Sequence, residues 1–326
     1  MRRREFIGLL GGGAVAWPRV IRAQQSSTPV IGYLSTLSEA QVKGSVDAFR
    51  RGLNDTGFIE GRNIVVEYHY AEGQYERLPA LAAELVARPV SLIVAQAPPA
   101  AMAAKAATAT IPIVFVVGLD PVAAGLVLNL NNPGGNATGM TLISHVLGPK
   151  RLELVRDIFP KASSIGMLVN PLSPDTLAEV LSVQGAAHAL RLDLSMLNAR
   201  TPNEIQAAFK AIAQKPFDAL LIGTDPFLLD QRAELIAQAK LLSLPTIYPF
   251  REYAAEGGLM SYGTNISGSY QQAGVYAGRI LKGPTPSELP VMQPTTFQLV
   301  INLKTVKALG LTIPPTLLAR ADEVIE

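Results

Sequence analysis

Cysteine is missing from all 326 residues. That excludes disulfides, cysteine metal sites, thiol catalysis and a lipid-modified cysteine behind a leader. Histidine is nearly as scarce: His69, His145 and His188 lie far apart and share no metal-ligand spacing. Charged residues make up only 17 % of the chain against 48 % hydrophobic ones, a balance that suits a large buried core. No apolar run reaches the roughly 20 residues needed to cross a bilayer. There is no Gly-x-Ser-x-Gly nucleophile elbow and no Gly-x-x-x-x-Gly-Lys phosphate loop. Nothing gathers acids, bases and nucleophiles on neighbouring strand ends. An enzyme, a metal site and a cofactor are therefore not expected.

What is present starts with Arg3-Arg4-Glu5-Phe6-Ile7, followed by an uncharged run over 6–17. The length fits the apolar region of an export signal, about 7–15 residues. The paired arginines are those of a twin-arginine signal, an address read by the twin-arginine export machinery. Ala23, before Gln24-Gln25-Ser26-Ser27, is the expected cleavage point. The expected location is the periplasm. Residues 1–23 carry five arginines and one glutamate, so the remainder holds 23 basic and 25 acidic side chains, a net charge of −2. The basic character belongs to the signal, and no basic cluster with interleaved aromatics remains to bind nucleic acid.

From Pro29 onward short apolar runs alternate with amphipathic helical patterns. Strands are predicted at 30–35, 64–71, 91–96 and 111–117, and again at 164–170, 192–198, 219–225 and 246–250. Their continuous apolar character is that of parallel strands covered on both faces. Val42, Val46, Phe49 and Leu53 recur at helical spacing, as do Leu78, Leu81 and Leu85, and then Ile205, Ala208, Phe209 and Ile212. Repeated strand–helix–strand units give an α/β fold of two doubly wound parallel-sheet lobes. The polar turn Asn131-Asn132-Pro133-Gly134-Gly135-Asn136 precedes a run at 138–143 that carries the chain to the second lobe. Asn136-Ala137-Thr138 matches a glycosylation sequon by accident. The run 259–262, a helix at 267–281 and a strand at 296–301 have no room in the second lobe alone. The chain is expected to return.

In open parallel sheets ligands bind beyond the carboxyl ends of the strands. Those ends supply the candidates: Ser35 and Thr36; Gln96, Ala97 and Pro98; Asp120; Asn170; Thr224 and Asp225; Tyr248; and, near a strand end, Tyr262. Pro98 and Pro99 open a predicted helix whose next amides, from Ala100 and Ala101, would stay free and attract a carboxylate. Asp120 and Asp225 each stand before a proline and read either as caps of the next element or as ligand contacts. Asp225 is favoured as a partner for an ammonium, with Thr224 adding a hydrogen bond. Asp120 is favoured as a cap. The tyrosines offer a flat face with a polar tip, or half-buried core rings.

Several runs match a known family: Val30-Ile31-Gly32-Tyr33-Leu34, Gly57-Phe58-Ile59-Glu60-Gly61-Arg62-Asn63, Ile111-Pro112-Ile113-Val114-Phe115, Asp120-Pro121-Val122, Asn132-Pro133-Gly134-Gly135-Asn136-Ala137-Thr138-Gly139, Gly278-Arg279-Ile280-Leu281-Lys282-Gly283 and Ile301-Asn302-Leu303-Lys304. Over 30–310 the chain resembles the periplasmic substrate-binding proteins of ABC transporters, of the tryptophan- and tyrosine-type. The resemblance implies the type I periplasmic binding fold, with two lobes joined by crossing strands. They would comprise 29–143 with 265–290, and 144–264 with 291–326. It implies a monomer that closes on a small-molecule solute and delivers it to an ABC permease in the inner membrane. Aromatic amino acids are ligands of some members. Their carboxylate would meet the helix start at 97–101 and their ammonium Asp225. In one departure, Ala97-Pro98-Pro99 stand where small polar residues are common, so hydroxyl ligation of a carboxylate is lost.

Overall fold

The computed structural model describes residues 28–326. The export segment expected at 1–23 lies outside the described residues. Twelve strands form two sheets. The first holds β1 (Val30–Ser35), β2 (Val65–Tyr70), β3 (Leu92–Gln96), β4 (Ile113–Val117) and β5 (Ala137–Thr141), all parallel, in the order β2-β1-β3-β4-β5. The second holds β6 (Ser164–Val169), β7 (Asp193–Asn198), β8 (Ala219–Ile222), β9 (Thr246–Tyr248), β10 (Met260–Gly263), β11 (Gln298–Asn302) and β12 (Glu323–Ile325). Its order is β12-β11-β10-β9-β8-β6-β7, parallel except where β11 runs against β10. β3, β4, β5 and β8 are buried along their whole length, as strands covered on both faces must be.

The covering helices are, in chain order, α1 (Glu39–Asp55), α2 (Leu78–Val86), α3 (Ala97–Ala107), α4 (Gly148–Ile158), α5 (Thr176–Leu190), α6 (Pro202–Gln214), α7 (Pro226–Asp230), α8 (Arg232–Leu241), α9 (Arg251–Ala255) and α10 (Ile266–Leu281), then two short ones, Leu303–Ala308 and Pro315–Leu318. In α1 the predicted stripe Val42, Val46, Phe49 and Leu53 is buried, and Ser38 caps the start, its amide donating to Gln41 Oε1 at 2.6 Å. Gly57, at φ +89°, turns the chain away after the helix.

α10 follows lobe two in sequence but packs on α1 of lobe one. The two backbones touch through glycines. A Cβ on Gly52 would lie 1.8 Å from the Gln271 carbonyl oxygen, and one on Gly274 would lie 2.1 Å from that of Phe49. Three segments cross between lobes: 142–147, 264–265 and 282–297. The first two are tied together, since Thr264 Oγ1 donates to the Leu142 carbonyl at 2.9 Å, and the third is tied to β5, where Thr138 Oγ1 donates to the Leu289 carbonyl at 2.6 Å. The run predicted at 138–143 as a crossover is for its first part β5, and the crossing begins only after Thr141.

The Asn-Pro-Gly-Gly-Asn turn has a structural reason. Gly134 and Gly135 take φ of +61° and +72°. Buried Asn136 donates from Nδ2 to the carbonyls of Thr108 and Ile111 at 3.0 and 2.8 Å, and accepts from Lys105 Nζ at 2.8 Å. Its amide thus ties the end of α3 to the start of β5.

Candidate ligand cleft between the lobes

The carboxyl ends of β1, β3 and β4 face those of β6, β8 and β9 across a cleft with about 510 Å³ of empty space, part of it open to solvent. Lobe one supplies Leu37, Ser45, Gln96, Ala97, Pro98, Val116 and Gly118. Lobe two supplies Asp175, Thr224, Asp225, Pro226, Leu229 and Phe250, and the crossing side adds Leu142, Ile266 and Tyr270. One buried apolar cluster contains residues of both lobes, Leu37 and Val116 with Phe227 and Phe250. The lobes are closed on each other.

Asp225 is the polar centre of the wall. It caps α7, with Oδ1 accepting from the Leu228 amide at 3.1 Å, and Asn170 Nδ2 donates to the same oxygen at 3.1 Å. Oδ2 accepts from the Tyr75 hydroxyl at 3.1 Å. Tyr75 belongs to lobe one, in the turn before α2, so this bond spans the cleft. Asp225 is therefore a helix cap whose carboxylate also lines the cleft. Burial pushes its carboxyl up to about 6. Asp175, between β6 and α5, is also buried, accepts from Ser173 Oγ at 2.6 Å, and is pushed by burial up to about 7. Opposite it stands Gly118, where a Cβ would come within 2.8 Å of Asp175 Oδ2. Only glycine lets the end of β4 approach so closely.

Behind Thr224 lies a fully buried ion pair. Arg151 Nη1 meets Glu179 Oε1 at 2.8 Å. Glu179 also accepts from the Thr224 amide at 2.8 Å and from its hydroxyl at 3.1 Å. Arg151 Nε donates to the Tyr262 carbonyl at 2.9 Å. Burial pulls the Arg151 guanidinium down from its ordinary value, and the Glu179 carboxylate opposes that. The network fixes the β8 end from which Thr224 and Asp225 project, and it engages the Thr224 hydroxyl.

Of the residues predicted from strand ends, Gln96, Ala97, Pro98, Thr224 and Asp225 line the cleft. Three stand one layer behind or beside it. Ser35 donates to Gln96 Oε1 and to the Leu37 carbonyl. Thr36 is fully buried, its hydroxyl without a partner among the described residues. Asn170 holds Asp225. The other three lie elsewhere. Asp120 is exposed and caps a turn, accepting from the amides of Val122 and Ala123 at 2.8 and 3.3 Å. Tyr248 is a core ring stacked on Tyr253 at 4.6 Å between centroids, and Tyr262 tilts against Phe297 at 6.2 Å.

α3 starts within the expected stretch, 97–101. The helix begins at Ala97, which adopts φ +70°, ahead of both prolines. With that start Ala101 is the fifth helical residue, and its amide is served by the Ala97 carbonyl four residues back inside the helix. Pro98 and Pro99 have no N–H, which leaves Ala97 alone with one in the first three helical positions.

The chain matches the ABC transporter substrate binding protein pattern over residues 31–325. It belongs to that family of substrate-binding proteins. The tyrosine-binding protein of Clostridioides difficile strain R20291 is 28 % identical over 281 residues, 86 % of this chain and 81 % of that one. An ABC domain from Streptococcus pneumonia in complex with L-Trp superposes with a TM-score of 0.81 at 26 % identity, covering 90 % of this chain and all of that one. The ligand-free, open structure of a substrate binding protein with adhesive properties from Clostridium difficile gives only 0.64 at 25 % identity, covering 91 % of this chain and 99 % of that one. At nearly equal identity the L-Trp complex fits better than the open, empty protein, in keeping with closed lobes here. The type I periplasmic binding fold is shared more widely at lower identity.

Proposed function

We propose that this family member is the solute receptor of an ABC importer, working as a monomer in the periplasm after twin-arginine export. It captures a small solute between lobes 29–143 with 265–290 and 144–264 with 291–326, and hands it unchanged to a membrane permease. The observation that carries this reading is the Tyr75–Asp225 hydrogen bond, made across a cleft lined by both lobes. Such a bond exists only when the lobes are shut, so contacts made only then can drive closure on a ligand. The apolar wall of Leu37, Val116, Leu142, Phe250 and Tyr270 suits a solute of the size and apolar character of an aromatic amino acid. The relatives named for tyrosine and solved with L-Trp support that size class.

Calorimetry and small-angle scattering over a metabolite panel test the proposal. Binding with compaction and recovery of the unaltered solute is expected. Absence of both heat and compaction across the panel, or recovery of a product, would overturn it. Cell fractionation with an Arg3→Lys, Arg4→Lys pair tests the export route, since loss of export is expected.

A further inference from the structure

Taking the solute-receptor reading as its basis, we propose that the cleft selects an organic amine without a carboxylate, over the matching amino acid and over the matching acid. The geometry favours a cation over an anion. Asp175 and Asp225 are both buried in the wall. Among the described residues no Lys, Arg or His side chain lines the cleft. Arg151, behind the wall, meets Glu179 through Nη1, and its buried Nη2 has no partner among the described residues.

Among the described residues neither cleft acid has a counter-ion. Asp225 accepts from neutral donors there, among them Tyr75, Asn170 and the Leu228 amide. Asp175 accepts from Ser173 and forms no ion pair among the described residues. Buried carboxylates are ordinarily paired. A protonated amine seated between them would supply the missing charge. One further acceptor sits at the same spot. Ser144 is 1 % exposed and its hydroxyl has no partner among the described residues. A Cβ on Gly118 would lie 3.3 Å from that hydroxyl and 2.8 Å from Asp175 Oδ2, so the two flank one point of the lining.

The usual receptor for a carboxylate at a strand end is a helix start with free amides. At two of the helix starts on this cleft few amides are free: α3 has Pro98 and Pro99 in its first turn, and α7 opens with Pro226 and has its Leu228 amide taken by Asp225. The Thr224 amide and hydroxyl are held by Glu179. The mouth adds no free cation, since Arg232 there pairs with Glu256 at 2.7 Å while Asp230 and Glu252 stand beside it. A ligand carboxylate would face two acids and few donors.

The test is titration calorimetry on the purified protein with matched series of amine, amino acid and deaminated acid, one of them tyramine, tyrosine and 3-(4-hydroxyphenyl)propionate, others on aliphatic bodies. The amine is expected to bind at least about tenfold more tightly than its amino acid, and the acid not detectably. Asp225→Asn, which keeps a capping oxygen, should remove most of that preference, and Pro98→Ser, which restores an N–H and a hydroxyl, should shift the ratio toward the amino acid. An amino acid or acid that binds as tightly as its amine would overturn the inference and leave the receptor reading intact. So would silence in every series with compaction on some other solute. Silence across the whole metabolite panel would remove both.

Discussion

The Tyr75 hydroxyl of lobe one donates to Asp225 Oδ2 of lobe two at 3.1 Å, and both groups are shielded from water. Burial and the neighbouring carboxylate raise the tyrosine well above its ordinary value, so it stays a donor at any working pH. Tyr75→Phe removes this one bond and keeps the ring. A hydrogen bond to a charged group contributes about 1.5–3 kcal/mol, a neutral one about 1. Solute affinity should drop by roughly 5- to 100-fold, and scattering at subsaturating solute should show a larger open fraction. Unchanged affinity and compaction would mean that the bond does not help hold the lobes together.

The two cleft acids make ligand binding and empty-state stability respond oppositely to pH. Each carboxyl titrates near 4 in the unfolded chain, and burial raises Asp225 to about 6 and Asp175 to about 7. Between those values the native state holds more protons than the unfolded one, so stability from these groups is highest near pH 4 and declines until about pH 7. The groups facing them are Tyr75, Asn170, Ser173 and Glu179, together with each other. A cationic solute needs the acids ionised, so its affinity should rise from pH 5 to pH 8 with proton release. Calorimetry in two buffers of different ionisation heat measures that release. Affinity flat across this range would exclude both acids as acceptors.

The Arg151–Glu179 pair should resist one-sided change. Arg151→Met or Glu179→Gln leaves a buried group without its partner, which costs about 3–5 kcal/mol. Replacing both, Arg151→Met with Glu179→Leu, should recover a large part of that loss in urea denaturation. If the double variant is no better than the worse single one, the pair is not the source of the cost.

Two glycines in lobe one should answer a methyl group with opposite signs. Gly274→Ala meets the Phe49 carbonyl at 2.1 Å and should destabilise by about 1–3 kcal/mol or more as α1 and α10 separate. Gly44→Ala meets nothing within 4 Å on the exposed face of α1 and should stabilise by about 0.5–1 kcal/mol. Thermal unfolding of the two variants reads both directly.

The eight strands read from apolar runs are present because buried parallel strands need continuous β-branched and aliphatic stretches, such as Leu92–Gln96 and Ile113–Val117. The return of α10 could be foreseen from crowding: a helix with Tyr270, Ala273 and Ala277 on one face needs a sheet to cover. Strand-end logic found Gln96, Thr224 and Asp225. It could not find Tyr75, which lies in a short turn and reaches the cleft only because the lobes close. Asp175 had a faint signal in Ser173-Pro174-Asp175 ahead of a helical run, the pattern of a cap. Val116 and Leu142 look like any core residue in sequence. Tyr248 and Tyr262 show the converse, since a tyrosine at a strand end fills core as readily as it meets a ligand. No sequence signal marks Ala97 for the left-handed conformation it adopts, since that conformation favours glycine.

α10 covers α1 through the paired glycines, yet it is made only after the first five strands of lobe two. A nascent chain that has emerged as far as β5 holds a sheet with one flank bare, because the helix that seals it has not been synthesised. Neither the ribosome nor a truncation can yield a finished first half. Maturation of the two halves is therefore concerted: the polypeptide reaches its working shape in a late step, when its penultimate long segment doubles back and docks on its first.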